Sequence, residues 1–196
     1  PLKDFGVSTN NYTIEPHGKR VFTLFGNLRG YKRPDLFIKA ANAINEPNAS
    51  FLIIGSCKDR DWEKYNALIK TSTIITDIRY IKNEEIPDIF SLSDFLVLPY
   101  DDATQSGPVL IAVNYGVPLI ATKQPIFESI VENNNNGYLF EKGSLEDLIK
   151  VLKMAISLSN DELNSMKASQ LRYKEQYIKS TDIALKFKEF ILKNNI

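Results

Sequence analysis

The sequence predicts an α/β fold: a Rossmann-like parallel sheet of about six strands flanked by helices, with a long C-terminal helix. Short runs of β-branched and aromatic residues alternate with longer segments of helical period, which is typical of βαβ units. The first two runs end at Gly26 and Gly55, as buried strands that enter tight turns do. With 196 residues, the chain is long enough to bury a core of its own.

Strands are expected where short apolar runs stop at a glycine, a proline or a polar turn. The predicted strands are residues 20–25, 51–54, 78–81, 95–98, 117–121 and 137–140. The asparagine-rich stretch before the last strand is interpreted as a turn, because Asn and Gly tolerate positive φ angles.

Helices are expected between the strands and after the last one. The predicted helices are residues 34–44, 60–70, 84–91, 107–115, 125–132, 144–157 and a long final helix from about residue 160. Apolar residues share one face of the first helix, and Pro34 suits its first turn. Ser144 and Asp147 resemble a capping box. A break in the final helix is expected near Ser180 and Thr181.

The organisation predicted along the chain is one domain with a short preceding segment. Residues 1–18 are polar and irregular, and we interpret them as a leader or an interdomain connection. Residues 19–196 form the predicted Rossmann-like domain, without an internal repeat or linker. Because the sequence opens at Pro1, we expect a piece of a longer protein whose other part holds some of the function.

Composition excludes several classes of function. Twenty-four basic and twenty-four acidic residues cancel, so no overall field attracts nucleic acid or anionic lipid. The single cysteine, Cys57, excludes an internal disulfide and a cysteine-rich metal site. No apolar run approaches the roughly 18 to 20 residues of a membrane span. The cytoplasm is therefore the expected compartment.

The first candidate binding loop follows the first strand. In an open parallel sheet, ligands bind outside the carboxyl ends of the strands. The loop Gly26-Asn27-Leu28-Arg29-Gly30-Tyr31-Lys32 supplies two cations and two glycines there. Arginine binds a phosphate through two hydrogen bonds, and lysine adds a point charge. The alternative is a surface loop whose cations are only solvated.

The second candidate loop is Gln105-Ser106-Gly107-Pro108, at the expected start of a helix. Free backbone amides and the helix dipole at such a start favour an anion, and the Ser106 hydroxyl adds a donor. The alternative is that Ser106 is only an N-cap, worth about 1 kcal/mol. Both interpretations are compatible, because capping and anion binding use the same helix end.

The remaining polar residues give weaker indications. The segment Tyr80-Ile81-Lys82 follows the third predicted strand and could contact a base through backbone groups. Asp59 and Asp61 have the spacing of a metal-binding Asp-x-Asp pair, but a helix start explains them more simply. His17 has no partner for a triad or a metal site.

Five segments occur in an order that is specific even though each is loose. They are FGNLRGYKRPDLFIKAA, FLIIGS, IRYIKNEEIPDIFSLSDFLVLPY, SGPVLIAVNYGVPLIAT and NNGYLFEKGSLEDLIKVL. Over roughly residues 20–195, the chain resembles the C-terminal, donor-binding domain of GT-B glycosyltransferases of group 1, the retaining, family 4-like type.

The resemblance implies roles for individual residues. Lys32 matches the lysine that neutralises the donor diphosphate, and Arg29 is expected to replace an arginine of the family that falls at Asn27 here. These two are the predicted catalytic residues. The residues implied in donor binding are Gly26, Asn27, Tyr80, Ile81, Lys82, Gln105, Ser106, Gly107 and Pro108. No metal is expected, because the cations stabilise the leaving group.

The chain departs from the family at two further positions. Typical members carry two glutamates eight positions apart, near the transferred sugar and the ribose hydroxyls, and these positions are Ala103 and Ile111 here. The departures imply a different recognition of ribose and sugar, or a loss of activity.

The function implied is sugar transfer from a nucleotide-diphosphate sugar such as a UDP-sugar, in polysaccharide biosynthesis. The acceptor is expected on an N-terminal domain of the same protein, which would also make any contact with the inner membrane. This chain alone is then expected to bind a donor and transfer little. Two alternatives stay open: a nucleotide-sugar-binding module without activity, and a GT-B nucleotide-sugar epimerase.

Overall fold

A computed structural model describes residues 4–103 and 106–193, with side chains described up to residue 176. Its centre is a six-stranded, fully parallel sheet with the strand order β3-β2-β1-β4-β5-β6. The strands are β1 (Arg20–Phe25), β2 (Ala49–Ile54), β3 (Ile74–Asp77), β4 (Phe95–Leu98), β5 (Leu119–Thr122) and β6 (Gly137–Phe140). The predicted fold class is confirmed.

Helices cover both faces of the sheet, as parallel connections require. They are α1 (Pro34–Ile44), α2 (Asp59–Asn66), α3 (Ile86–Leu92), α4 (Gly107–Tyr115), α5 (Pro125–Glu128), α6 (Leu145–Ser157) and α7 (Asn160–Lys193). Short 3-10 turns precede α1 and α3, at Gly30–Lys32 and Asn83–Glu85. The Ser144 hydroxyl accepts a hydrogen bond from the amide of Asp147 at 3.2 Å, so it caps α6 as predicted.

The core is built on three aromatic rings in the middle of the sheet. Phe22 of β1 stacks on Phe51 of β2 at 5.3 Å and on Phe95 of β4 at 5.7 Å, measured between ring centroids. All residues of β1, β2, β4 and β5 are buried, because helices cover both faces of these strands. This rigid centre fixes the carboxyl ends of the strands, where the loops emerge.

The third strand lies earlier in the chain than predicted. β3 pairs with β2 from Ile74 to Asp77, whereas residues 78–81 have left the sheet. Arg79 forms ion pairs with Asp77 at 2.9 Å and with Glu85 at 2.6 Å, which turn the chain toward α3.

Several helix ends also differ from the prediction. α2 ends at Asn66, because the side chain of Asn42 binds the Leu68 carbonyl and the Lys70 amide and ties this segment to α1. α5 ends at Glu128, and the side-chain amide of Asn136 then binds the Ile130 carbonyl at 2.9 Å.

The final helix is longer than expected. The backbone of α7 is helical from Asn160 to Lys193 without the break predicted near Ser180 and Thr181. Serine and threonine reduce helix propensity only modestly, so they do not end a helix by themselves.

The N-terminal segment, residues 4–18, lies against the domain without forming a helix or strand. The buried carboxylate of Asp88, in the first turn of α3, accepts hydrogen bonds from the Ser8 hydroxyl at 2.6 Å and from four consecutive backbone amides, those of residues 9–12, at 2.7 to 3.1 Å. These bonds, the one from Ser8 first, hold the pKa of Asp88 well below its usual range. The hydroxyl of Tyr12 donates to Asp77 at 2.7 Å.

Candidate functional site

A cleft of about 580 Å³ opens at the carboxyl ends of β1 and β4, where the strand order reverses direction. Ligands of open parallel sheets bind at such a switch point, and pockets for small ligands have this size. The turns after β1 and β2 approach closely here: a Cβ at Gly55 would lie 2.1 Å from the carbonyl oxygen of Gly26. A Cβ at Gly26 would lie 3.2 Å from Nζ of Lys32 and 3.5 Å from Cγ of Pro108. Gly26 therefore brings Lys32 and the start of α4 together.

Lys32 is a buried cation at this cleft, with only 5% of its surface exposed. Its ammonium donates to the Phe25 carbonyl at 3.4 Å and lies 5.4 Å from the centroid of the Tyr100 ring. Burial, and to a smaller extent the charge of Arg29, lower the pKa of Lys32 to about 8. Among the described residues, no carboxylate compensates this charge. A buried ammonium without an anionic partner attracts an anion from solution.

Asp35, three residues after Lys32, and Asp101, in the loop after β4, are already paired with another cation. Arg33 binds Asp35 and Asp101, each at 2.9 Å. The Asp101 amide also donates to the Tyr31 carbonyl at 2.7 Å, so the loops after β1 and β4 are joined. Asp101 thus helps to fix the geometry of the two loops that border the site.

The start of α4 faces the same cleft, through Gly107 and Pro108. The backbone of Ser106 is extended, as at an N-cap, but its side chain makes no capping hydrogen bond. Its buried hydroxyl has no hydrogen-bond partner in the described part of the chain. The start of α4 lines the cleft, so its first free amides are available to an anion.

Tyr100, directly after β4, supplies a second hydroxyl without a partner. Its ring is buried edge-on against Tyr31 at 5.7 Å and Phe127 at 5.8 Å. Within residues 4–103 and 106–176, nothing forms a hydrogen bond of normal geometry with this hydroxyl. Burial raises the pKa of Tyr100, and nearby Ser106 lowers it by less, so the hydroxyl stays protonated. Sequence reasoning missed Tyr100, because a tyrosine at a strand end has the pattern of a core residue.

The rest of the cleft is largely apolar. Ile111, one turn into α4, lines it together with Phe25 and Ile86, and it is joined by Phe5 from the N-terminal segment. No carboxylate belongs to the described residues that line the cleft. Phe5 gave no signal in the sequence beyond being an isolated aromatic residue in a polar stretch. The cleft thus has one cationic end and one apolar wall.

Comparison with known proteins identifies this architecture. Residues 11–172 match the family model described as glycosyl transferases group 1. The chain belongs to this family. The resemblance to GT-B enzymes of group 1 is thereby confirmed.

This group 1 domain is similar to curated proteins and to solved structures. It is 26% identical over 152 residues to the alpha-monoglucosyldiacylglycerol synthase of Acholeplasma laidlawii, covering 76% of this chain and 38% of that protein. It is 27% identical over 162 residues to the UDP-Gal:alpha-D-GlcNAc-diphosphoundecaprenol alpha-1,3-galactosyltransferase of Escherichia coli, covering 79% of this chain and 40% of that protein. The chain thus spans less than half of the curated relatives that it matches.

Two solved structures show the same fold. The C-terminal domain of the group 1 protein LpcC from Francisella tularensis has a TM-score of 0.71 at 24% identity, over 82% of this chain and 86% of that one. Anabaena Alr3699/HepE, solved in complex with UDP and glucose, has a TM-score of 0.73 at 16% identity, over 88% of this chain and 49% of that one.

In this group 1 domain, the two predicted catalytic residues lie apart. Lys32 lines the main cleft, whereas Arg29 lines a neighbouring pocket of about 530 Å³ with Ser56 and Lys58. Asn27 lines both. Arg29 is an extended residue before the 3-10 turn that carries Lys32 inward, which explains the separation.

The third candidate loop is only partly at the cleft. Tyr80 and Ile81 line it, but the amide of Lys82 donates to Glu85 at 2.8 Å. Gln105 lies outside the described residues, and Ala103 packs against the core. Ile111 presents an apolar side chain where the family resemblance implied a glutamate.

The residues given no role in this domain have structural partners. Asp59 and Asp61 lie in the first turn of α2, and Asp61 pairs with Lys64 at 3.5 Å. The His17 carbonyl accepts a hydrogen bond from Ser50. In the part of the chain that the structure describes, no three His, Cys, Asp or Glu side chains are grouped to hold a metal. Nor does that part contain a helix with the length and apolarity of a membrane span.

Proposed function

We propose that this domain binds the diphosphate of a nucleotide-sugar donor and stabilises it as the leaving group of glycosyl transfer. The observation that supports this most is Lys32, a buried ammonium at the cleft without a carboxylate partner in the described residues. A diphosphate supplies the missing negative charge, and its oxygens accept strong, charge-assisted hydrogen bonds.

The neighbouring groups suit the same ligand. The hydroxyls of Ser106 and Tyr100 are buried near each other, neither has a hydrogen bond of normal geometry in the described chain, and the first turn of α4 offers free amides. A phosphate has enough acceptor oxygens to satisfy all of these donors. The proposed diphosphate site therefore consists of Lys32, Ser106, Tyr100 and the amides of Gly107 and the residues after it.

The proposed chemistry follows from where charge develops. The bond between the anomeric carbon of the sugar and the oxygen of the diphosphate breaks, the oxygen of an acceptor hydroxyl bonds to the anomeric carbon, and the proton of that hydroxyl passes to the departing diphosphate. Negative charge accumulates on the departing oxygen, so donors fixed around it lower the barrier. Lys32 and the α4 amides are the groups placed to do this, without a metal ion.

The donor class is proposed from the relatives. The Escherichia coli relative is named for UDP-Gal, and HepE was solved with UDP and glucose. We assign a UDP-sugar to this cleft, with the nucleoside against its apolar wall. Retention of anomeric configuration is proposed from the family resemblance alone.

The remainder of the reaction is assigned to a further domain. Residues 1–18 are proposed as the interdomain connection, and a preceding domain of the same protein is proposed to hold the acceptor and to make any contact with the inner membrane. The proposed compartment is the cytoplasm.

Calorimetric titration of this chain with UDP, GDP and ADP tests the donor site. We expect UDP to bind more tightly than the other two, and Lys32→Met to weaken binding about tenfold or more, as loss of a charge-assisted hydrogen bond does. Lys58→Met is the matched control, because Lys58 is exposed in the neighbouring pocket. Equal affinity of wild type and Lys32→Met would contradict the proposal.

A second candidate function is a donor-binding module without transfer. The observation that favours it is Ile111, an apolar side chain in the cleft wall that cannot accept a hydrogen bond from a sugar or ribose. Radiolabelled sugar release or transfer by the longer protein separates the two. Donor binding without any turnover would support the binding module, whereas turnover would contradict it.

A further inference from the structure

The N-terminal segment reaches the donor cleft at one residue. Phe5 is partly buried, packs against the core and lines the same cleft as Lys32 and Ile111. Its amide donates to the hydroxyl of Tyr115 at 3.0 Å, and that hydroxyl donates to the Gly6 carbonyl at 2.9 Å. The backbone on both sides of the Phe5 ring is thus tied to the end of α4.

The same segment is fixed a few residues later. The Asp88 carboxylate binds the Ser8 hydroxyl and the amides of residues 9–12. So many hydrogen bonds to one buried carboxylate leave residues 8–12 little freedom. Two attachments therefore hold Phe5 in place: one to Tyr115, the last residue of α4, and one a few residues later to Asp88 on α3.

The position along α4 indicates which part of a ligand Phe5 meets. The first turn of α4, with Lys32 beside it, is the anion end of the cleft. Tyr115 lies eight residues after Gly107, roughly 12 Å along the helix axis. Phe5 is thus attached to the residue of α4 that is farthest from its first turn, and its side chain lines the cleft together with Ile111 of the apolar wall.

We propose that Phe5 contacts the nucleoside of the bound donor with its ring, and that Asp88 positions it. This inference rests on the proposed function. An aromatic face suits a base or a pentose edge, and stacking on a base is a sequence-tolerant interaction. Part of the donor site is then supplied by the segment that precedes the Rossmann-like domain.

The test compares two probes that differ in the nucleoside. UDP reports on both ends of the cleft, whereas inorganic pyrophosphate reports on the anion end alone. We expect Phe5→Ala to weaken UDP about tenfold, in line with base stacking on aromatic side chains, and to change pyrophosphate by less than twofold. Phe5→Tyr retains the ring and is expected to retain UDP affinity.

Asp88→Asn tests the positioning role, since it keeps the side-chain size and removes the charge that the amides bind. A selective loss of UDP affinity, smaller than that of Phe5→Ala, is expected. Val7→Ala is the matched control: Val7 is in the same segment and 84% exposed, and neither affinity is expected to change. Thermal melts of each variant verify that the domain is folded.

Three outcomes overturn the inference. If Phe5→Ala binds UDP as tightly as wild type, Phe5 does not contact the nucleoside. If it binds UDP more tightly, the ring hinders binding. If Phe5→Ala weakens the binding of UDP and pyrophosphate equally, the N-terminal segment supports the structure of the whole cleft and does not contact the nucleoside. If wild type binds none of UDP, GDP, ADP and pyrophosphate, the proposed function fails as well, so the two failures are distinguishable.

Discussion

Replacing Lys32 with methionine is expected to stabilise the folded domain and to weaken diphosphate binding at the same time. Methionine keeps most of the apolar stem and removes the charge. An ordinary structural residue would not behave in this way, because loss of its contacts would lower stability. The opposite signs therefore identify a residue whose partner is a ligand.

The magnitude follows from the pKa. Burial lowers the pKa of Lys32 from its ordinary 10.5 to about 8. At about 1.4 kcal/mol per pKa unit, keeping the charged form in the folded protein costs on the order of 3 kcal/mol. The contact with the Tyr100 ring returns about 0.5 to 2 kcal/mol, which the variant loses. A net increase of about 1 to 2 kcal/mol in the free energy of unfolding at pH 7 is expected for Lys32→Met.

The dependence of stability on pH gives the sign of the stability difference between wild type and Lys32→Met independently. The folded pKa lies below the unfolded one, so the unfolded chain binds more protons between about pH 8 and 10.5. Wild-type stability therefore rises across this window, and Lys32→Met lacks that rise. The difference between the two proteins is greatest below pH 8 and disappears above about pH 10.5.

Urea unfolding at pH 7 and pH 10, together with calorimetric titration of pyrophosphate, measures both effects. Lys58→Met, at an exposed position, is expected to change neither quantity. A Lys32→Met variant that loses stability and keeps its affinity would refute the reasoning, since Lys32 would then be a packing residue.

Three further predictions concern the same cleft. The pyrophosphate affinity of wild type, relative to that of Lys32→Arg at the same pH, is expected to fall roughly tenfold between pH 7 and pH 9, as Lys32 loses its proton near pH 8; the ratio removes the titration of pyrophosphate itself. UDP and 2′-deoxy-UDP are expected to compete within about threefold of each other, because Ile111 accepts no hydrogen bond, and Ile111→Gln is expected to create a preference for UDP. Tyr100→Phe is expected to weaken pyrophosphate several-fold without lowering the melting temperature, because its buried hydroxyl has no described partner to lose; a clear drop in that temperature would contradict this.

The sheet was predictable wherever the signal was local. β1 and β2 are largely apolar runs that end at glycines, so their carboxyl ends follow from that pattern, whereas β2 begins at Ala49 rather than at residue 51. β3 was placed too late because it is a short edge strand of mixed burial, and isoleucines occur on both sides of its true end. Its register depends on pairing with β2, which no short stretch of sequence encodes.

The residues of the site also divide into those that local sequence predicts and those that depend on the fold. Lys32 and the start of α4 were predictable because each lies in a compact segment that directly follows a strand. The inward turn of Lys32 away from Arg29 depends on one 3-10 turn, which composition does not specify. Phe5 was missed because its hydrogen bond to Tyr115 joins residues 110 positions apart.

The strongest physical argument for a ligand is where the incomplete polar groups lie. Several buried polar side chains elsewhere are satisfied within the domain: the hydroxyls of Thr23 and Ser93 are 2.7 Å apart, and Asp88 accepts a full set of hydrogen bonds. Two others lack partners among the described residues, Nε of Arg20 and the amide of Gln170, and nothing in the structure explains them.

Near the start of α4 lie three groups with incomplete hydrogen bonding: the ammonium of Lys32, 5.4 Å from the centroid of the Tyr100 ring, and the hydroxyls of Ser106 and Tyr100. Each of these groups destabilises the folded state, because burying a polar group without a hydrogen-bond partner is unfavourable. All three donate hydrogen bonds and one is charged, so the single partner that satisfies them together is an anion with several oxygens. Their position near the switch point of the sheet supports the proposal that this end of the cleft binds a diphosphate rather than a neutral sugar or a base.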